Sequence, residues 1–330
     1  MKRLAVIILN WNGLKLLRQF LPVAARYTID DDTDLIVADN GSDDGSVEWV
    51  RREMPEVKVI EFDRNYGFAE GYNRAVEATR YEYTLLLNSD VEVTEGWVKP
   101  LMRFMLAHPD VAAVQPKIRS YRQRELFEYA GAAGGYIDRL GYPYCRGRLF
   151  DSLERDEGQY DDAPADICWA SGAALLVRTA DYIDAGGLDA AFFAHMEEID
   201  LCCRLHARGR RVCVVPDSAV FHVGGASLDA SNPRKTYLNF RNNLLLLHKN
   251  LPRSVSRPLL LKRRLMDTLA FGMFLAKGQW GHAHAILSAH RDFRRMRADY
   301  NEFPDTDTLS SLPGSRRNIV LDRYLLRKKK

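Results

Sequence analysis

The sequence predicts an α/β fold built on a mostly parallel central sheet flanked by helices, and three observations predict it. Strand-like and helix-like segments alternate from Leu4 to Gln115, the pattern of a parallel sheet with crossover helices. The strand candidates, Leu4 to Leu9 and Leu85 to Leu87 among them, are unbroken apolar runs, as expected of strands buried on both faces. Their carboxyl ends break abruptly into Asn, Asp, Gly and Ser, where open α/β sheets collect ligand chemistry. Beyond Pro233 the periodicity is helical, which adds a C-terminal helical extension.

Taken in order, Leu4 to Leu9 is the first strand. Asn12-Gly13 turns the chain into a helix from Leu14 to Tyr27, whose Leu14, Leu17 and Leu21 fall on one face. Leu35 to Ala38 is the second strand, ending at Asp39-Asn40-Gly41-Ser42. Gly45 to Glu53 reads as a helix, Val57 to Phe62 as a strand and Gly67 to Thr79 as a helix. The next strand runs into Asp90, followed by a helix from Glu95 to Ala107 and a strand from Val111 to Gln115. From Lys117 to Ala165 the glycines Gly131, Gly134, Gly135, Gly141 and Gly147 mark loops or bent strands. Order returns with a strand at Ala173 to Val177, a helix at Met196 to Ala207 and a strand at Arg211 to Val215. Helices at Lys235 to Lys249, Pro258 to Lys277 and Trp280 to Tyr300 follow.

Composition narrows the setting. The 330 residues suffice for one large domain or two smaller ones, with 46% hydrophobic and 28% charged residues. Net charge is +3, unevenly spread: from Leu251 to Lys330 there are 17 Lys+Arg against 7 acids, whereas the preceding 250 residues hold 30 against 37. An acidic body thus carries a basic appendage suited to phosphate or an anionic membrane surface, while nothing points to nucleic acid. The five cysteines include the adjacent pair Cys202-Cys203 and no C-x-x-C, which fits a reducing cytoplasm better than a disulfide framework or zinc site. Met1-Lys2-Arg3 and the short apolar run after it read as a first strand rather than a signal peptide. No stretch of about 18 uncharged apolar residues predicts a transmembrane helix.

The polar strand ends carry the chemistry. Leu85-Leu86-Leu87-Asn88-Ser89-Asp90 puts Asp90 at a sheet rim, where a hard carboxylate can hold a divalent cation bridging phosphate oxygens. Asp39 ends the second strand before small residues that admit a ligand to the backbone, and can accept a hydrogen bond from a base or ribose. Ser42, Asp43 and Asp44 have a local alternative as helix caps. Arg64-Asn65-Tyr66-Gly67 enters a helix carrying Asn73, and Arg64 suits a diphosphate. No G-x-G-x-x-G or G-x-x-x-x-G-K-[ST] supports a dinucleotide or P-loop site. In Met196-Glu197-Glu198-Ile199-Asp200, helical geometry keeps the three acids from facing one way. Asp200 stands four residues before Arg204 and can pair with it, Glu197 can complement the helix dipole, and Glu198 is left for the cleft as general base. His222 follows a strand and offers a metal-binding imidazole.

The segments IILNWNG, VADNGSDDGS, NYGFAEGYN, LLLNSDVEV, WASGAALLVR, MEEIDLCCR and FHVGGAS, in this order, resemble the family 2 glycosyltransferases. The resemblance runs from about Leu4 to Lys249 and is nearest the branch with rhamnosyl- and galactofuranosyltransferases of bacterial surface polysaccharides. It implies a GT-A fold over 1–232, with a nucleotide-sugar half at 1–116, an acceptor-side half with the catalytic base at 117–232, and a basic helical extension at 233–330. It implies that Asp39 reads the base of a UDP- or dTDP-linked donor and that Asp90 is the last acid of a D-x-D motif. Asn88 replaces the first acid of that motif. It further implies that His222 completes a Mg2+ or Mn2+ site or contacts the diphosphate, and that Glu198, beside Glu197, is the base. Asn12, Arg64, Asn65, Gly67, Asn73, Trp169, Gly172, Glu197 and Arg241 join Asn88 as candidate substrate contacts.

The activity implied is inverting transfer of a sugar to a hydroxyl of a glycan or lipid-linked acceptor in cell-surface polysaccharide synthesis. A nucleotidyltransferase making the nucleotide sugar and a non-catalytic sugar-nucleotide-binding protein stand as alternatives. The apolar residues Leu259, Leu260, Leu261, Leu265, Met266, Leu269, Phe271, Met273, Phe274 and Leu275, interrupted by charge, suggest an interfacial helix on the cytoplasmic face of a membrane. The competing expectation is packing on the catalytic domain or on a second copy in a homodimer.

Overall fold

The computed structural model describes residues 2–128, 131–150, 152–224 and 232–324. Gly225, Ala226 and Ser227 of the FHVGGAS segment and the basic tail from 325 lie outside the described residues. The amino-terminal part alternates as expected: β1 (Leu4–Asn10), α1 (Leu14–Thr28), β2 (Thr33–Asp39), α2 (Ser46–Glu53), β3 (Lys58–Glu61), α3 (Phe68–Thr79) and β4 (Tyr83–Leu87). After the short β5 (Val91–Val93) come α4 (Val98–Ala107) and the long β6 (Val111–Ser120). The glycine-rich stretch folds into a small antiparallel sheet of β7 (Gly135–Ile137), β8 (Pro143–Cys145), β9 (Arg148–Leu149) and β10 (Ser152–Leu153). Then follow β11 (Ala165–Asp166), β12 (Ala174–Arg178), α5 (Thr179–Asp184), α6 (Glu197–Ala207) and β13 (Arg211–His222). The helices α7 (Pro233–Asn250), α8 (Arg253–Ala276), α9 (Trp280–Met296) and α10 (Ile319–Tyr324) close the chain.

The main sheet has the order β11-β13-β6-β12-β4-β1-β2-β3, with β5 paired to β13. β1, β2, β3 and β4 are mutually parallel, and β6 runs parallel to β13. The sheet is mostly parallel, as expected; its antiparallel members are β12, against β4 and β6, and the short β5 and β11, against β13. No crossover helix lies between β6 and β12, so the chain re-enters the sheet from the edge where β6 left it. The strands predicted at Val111 to Gln115 and Arg211 to Val215 also run further, to Ser120 and His222. Pro116 and Pro216 hid the continuation, because proline interrupts a ladder. A register shift between Val215 and Ala219 absorbs Pro216, and the extension carries His222 to the rung opposite Val91, next to Asp90.

Two cores flank the sheet, and period-two alternation assigns residues to them. Ala5 and Ile7 face one core, with Ala69, Tyr72 and Val76 of α3 and Leu201 and Leu205 of α6. Leu4, Val6 and Ile8 face the other, with Leu17 and Leu21 of α1, Val50 of α2 and Leu101 of α4. The first core continues past residue 232, because Leu244, Leu245, Leu246 and Leu247 of α7 are buried within it. Burial of each such side chain stabilises by about 1.5–3 kcal/mol, so α7 folds with the sheet.

The apolar residues of the helix predicted at Pro258 to Lys277 divide. Leu259 and Leu260 pack on the core, while Leu261, Leu265, Leu269 and Met273 form an exposed stripe along α8. Arg263 fixes the helix from within: it is buried, lies over the Tyr142 ring at 3.7 Å and pairs with buried Asp267 at 3.6 Å. All five cysteines are free and buried. Among the described residues no helix is long and apolar enough to cross a membrane.

Candidate active site

The polar strand ends of β1, β2 and β4 converge at one edge of the sheet, since these strands run parallel. Asp39 is buried there, accepting from Asn10 Nδ2 at 2.8 Å and from the Ser42 backbone N–H at 2.8 Å. Ser42 does not cap α2; its hydroxyl oxygen lies 3.2 Å from Asn10 Nδ2 and accepts from the Asn12 N–H at 2.9 Å. Asp44 takes the local role instead, accepting from the backbone of Ser46 and Leu14. Asn12, in a left-handed conformation, accepts from the Asp43 N–H and leaves Trp11 exposed at the rim. Gly41 is required: at φ +75°, an added Cβ would stand 2.6 Å from the Arg64 Cα. The two ligand-facing loops therefore touch backbone to backbone. Asn40 ties them, donating to Asn65 Oδ1 and to the Gly67 carbonyl and accepting from the Tyr66 N–H. Arg64 remains exposed, its guanidinium 4.9 Å from the Tyr66 ring centre.

Asp90 and His222 meet where β5 pairs with β13. His222 Nε2 lies 3.1 Å from Asp90 Oδ1, and His222 Nδ1 lies 3.3 Å from Glu128 Oε2. All three residues are buried. Burial alone would lower the imidazole pKa, but hydrogen bonding and attraction from Asp90 and Glu128 outweigh it and raise the pKa to about 10. Gly224 makes room, since an added Cβ would stand 2.4 Å from Glu128 Oε1. Asp90 offers a hard carboxylate oxygen to Mg2+ or Mn2+, and His222 can join it once its proton is displaced, with Glu128 then orienting the ring from the far nitrogen. The residues therefore fit a divalent cation. Among the described residues no cluster of three His, Cys, Asp or Glu side chains could hold one alone, so a bound diphosphate and water would complete its coordination. The Asn88 side chain, half-buried beside them, has no hydrogen-bond partner among the described residues.

Glu197 and Glu198 open α6 and differ in surroundings. Glu197 is buried, and desolvation together with repulsion from Glu198 holds its carboxyl well above the ordinary range. Glu198 is half-buried, with Oε2 sealed from solvent and without a hydrogen-bond partner. Desolvation raises its pKa to about 7, against backbone N–H groups at the helix start that lower it. A Cβ on Gly172 would lie 3.7 Å from Glu198 Cβ and 3.8 Å from the Phe68 ring, so this glycine opens the space in front of the carboxyl. Ala173, next to the Gly172 that faces Glu198, accepts from the Asn88 N–H two residues before Asp90. The histidine cluster and the α6 acids thus border one region. Asp200 pairs with Arg204 as its spacing predicts, at 2.8 Å, and also holds Lys249 and Asn250 of α7.

Three candidate contacts are committed to the scaffold. Asn73 donates to the Leu188 carbonyl and accepts from its N–H and from the Tyr182 hydroxyl. Trp169 donates to the Tyr136 carbonyl and packs where a side chain on Gly135 would clash. Arg241 donates to the carbonyls of Ala191 and Phe192. These residues shape the region from behind. Sequence reading missed Asn10, Ser42 and Glu128. Asn10 was legible as the polar end of a strand beside Asp39, whereas Glu128 lies in the glycine-rich stretch with no local signal.

Ahead of α6, Phe193, His195 and Met196 adopt φ of 65°, 69° and 73°. Left-handed backbone costs a non-glycine residue about 1–2 kcal/mol. The exposed Phe193 ring reaches Gly67, where an added Cβ would stand 3.6 Å from it.

Comparison with known proteins accounts for this arrangement. Residues 5–155 match the profile described as Glycosyl transferase family 2. Over that stretch the chain resembles the family 2 glycosyl transferases. It is 27% identical over 207 residues to the N-acetylglucosaminyl-diphospho-decaprenol L-rhamnosyltransferase of Mycobacterium tuberculosis, covering 57% of this chain and 66% of that relative. This GT-A fold resembles that of S. aureus TarS 1-349 in complex with UDP-GlcNAc, with a TM-score of 0.56 at 16% identity over 88% of this chain and 81% of that one. It also resembles GalNAc-T7 with UDP, GalNAc and Mn2+, with a TM-score of 0.57 at 16% identity over 73% of this chain and 47% of that one.

Proposed function

We propose that this glycosyltransferase moves a sugar from a nucleoside-diphosphate donor, UDP- or dTDP-linked, to a hydroxyl of a glycan or lipid-linked acceptor with inversion, in assembly of a cell-surface polysaccharide. The observation that carries the reading is the place of Glu198: it lies against Gly172, whose neighbour Ala173 bonds Asn88 at the Asp90 turn, and one of its carboxyl oxygens has no protein partner. In this reading Asp39 receives the base or ribose, and Arg64 and Asn65 lie along the diphosphate. Glu198 accepts the proton of the acceptor hydroxyl as its oxygen attacks the anomeric carbon opposite the leaving group. Asp90 and His222 would hold Mg2+ or Mn2+, with Glu128 orienting the imidazole. The cation, when bound, neutralises charge on the leaving diphosphate. Glu197, beside Glu198, is held well above the ordinary carboxylate range by burial and by its neighbour's charge.

The test is transfer from a panel of UDP- and dTDP-sugars to lipid-diphosphate-linked sugar acceptors, with the product's anomeric configuration read by NMR. Inverted product from the native protein and none from Glu198→Gln supports the reading. Pyrophosphate release from a nucleoside triphosphate and a sugar phosphate, without transfer, would replace it with the nucleotidyltransferase alternative.

The outer face of α8 favours an anionic bilayer as a partner, on the cytoplasmic side where such donors are found. Its exposed residues include the Leu261-Leu265-Leu269-Met273 stripe and the cations Arg253, Arg257, Lys262 and Arg264, with exposed Lys277 just past its end. The helix's one acid, Asp267, is buried. An isologous dimer through this face would set cations against cations, which disfavours a second copy there. The named acceptor of the mycobacterial relative is linked to decaprenol, and a lipid-linked acceptor would give docking a purpose.

A further inference from the structure

We infer that Asn242, a residue of α7 outside the stretch matched by the family profile, is a positioning residue for the base: it clamps the loop that aims Glu198. The inference rests on the reading of Glu198 as base. Phe193, His195 and Met196 are left-handed although none is glycine, and Met196 is the residue from which α6 starts. It supplies no side-chain cap that would explain its conformation. Its carbonyl accepts from the Asp200 N–H, so relaxation of Met196 to ordinary backbone would redirect the first turn, and with it Glu198.

A strained conformation persists only where its surroundings impose it. Here they can be named. The carbonyls of Phe192, Ala194 and His195 converge on Asn242 Nδ2 at 3.0, 2.9 and 2.7 Å. Asn242 is fully buried, and Arg241 Nε donates to its Oδ1 at 2.8 Å, which fixes which end of the amide faces the loop. The Arg241 guanidinium adds bonds to the Ala191 and Phe192 carbonyls. A buried amide donor turned on three carbonyls of one loop is more than helix packing needs. Neighbouring Asn243 faces the opposite way, bonding the Gly141 carbonyl and Arg263. The C-terminal helices are thereby part of the catalytic apparatus, acting through the geometry of one loop.

The test uses the full chain, with kcat, donor KM and Tm measured for each variant. Asn242→Ala should lower kcat by about 10–100-fold with donor KM held within about threefold, the pattern of a misplaced base rather than a lost substrate contact. Adding Met196→Gly should restore much of kcat, because glycine adopts the left-handed conformation without the clamp. Adding Met196→Ala should not, though it removes the same side chain. Asn243→Ala should lower Tm and leave kcat near native. Should Asn242→Ala fail to fold, the comparison of Met196→Gly with Met196→Ala in the otherwise native chain decides: glycine should be the more stable, and equal or better stability of alanine overturns the proposal. Native-like kcat in folded Asn242→Ala, or equal rescue by glycine and alanine, overturns it too. Glu198→Gln in the same assay separates the two ideas. If it turns over normally, the base assignment has failed; if it is dead while Asn242→Ala is active, the clamp has failed.

Discussion

At the scale of single residues, environment distinguishes two adjacent and chemically identical side chains. Burial and repulsion from Glu198 hold Glu197 well above the ordinary carboxylate range, while burial raises Glu198 to about 7 against backbone N–H groups that lower it. As a base, Glu198 must be ionised, so kcat/KM for the free enzyme should rise with pH and level off above about 7. Glu198→Gln should remove about 10²–10⁴-fold of the rate and this ascending limb, while donor binding survives. The same shift has a consequence for stability. A carboxyl raised from 4.5 to about 7 on folding favours the native state below the lower value, and that advantage is lost as pH climbs through the upper one. Glu198→Gln should therefore be more stable than the native chain at pH 8, by about 1–3 kcal/mol, and match it near pH 4. Denaturant titrations at the two pH values check this. At the His222 cluster, Glu128→Gln should weaken Mn2+ binding by about 10–100-fold without touching the cation directly. Calorimetric titration of Mn2+ with a nucleoside diphosphate present reads that loss.

Among the elements, those made by local pattern were legible and those made by tertiary context were not. Apolar runs and their polar ends disclosed β1, β2, β4, α3 and α6 because both periodicities survive burial. The full length of β13 was hidden behind Pro216, so local pattern did not bring His222 to Asp90, 132 residues away; only the family resemblance implied one site for both. The direction of β12 was hidden because alternation implies crossovers only where a helix intervenes. The basic composition of the C-terminal region drew attention to its surface, yet α7 belongs to the core. Truncating fully buried Leu246 to Ala should cost about 2–5 kcal/mol and melt the whole domain in one transition. A separate low-temperature transition in calorimetry would mean that α7 folds apart from the sheet.

Across the whole molecule, the sheet edge brings donor-facing loops and the acids of α6 to one region, while α8 turns a cationic, leucine-striped face outward. Each basic residue near an anionic surface contributes about 1 kcal/mol, screened by salt. The full chain should sediment with phosphatidylserine vesicles at low salt, far less with neutral ones, and lose this binding on Leu261→Glu with Leu265→Glu. Equal and negligible binding to both vesicle types would remove the membrane from the account and leave the stripe unexplained.

The central claim is a cation-assisted nucleotide-sugar site with Asp90 at its diphosphate end and Glu198 outside the donor contacts. It is tested most directly by thermal unfolding against a panel of UDP- and dTDP-sugars, with and without Mn2+, in the native chain, Asp90→Asn and Glu198→Gln. A ligand that binds only the folded state must raise its stability. At least one nucleotide sugar should raise the Tm of the native chain and of Glu198→Gln in the presence of Mn2+, and the gain should largely vanish in Asp90→Asn. No protection by any nucleotide sugar, or protection that ignores both Mn2+ and the loss of the Asp90 carboxylate, would contradict the site as described.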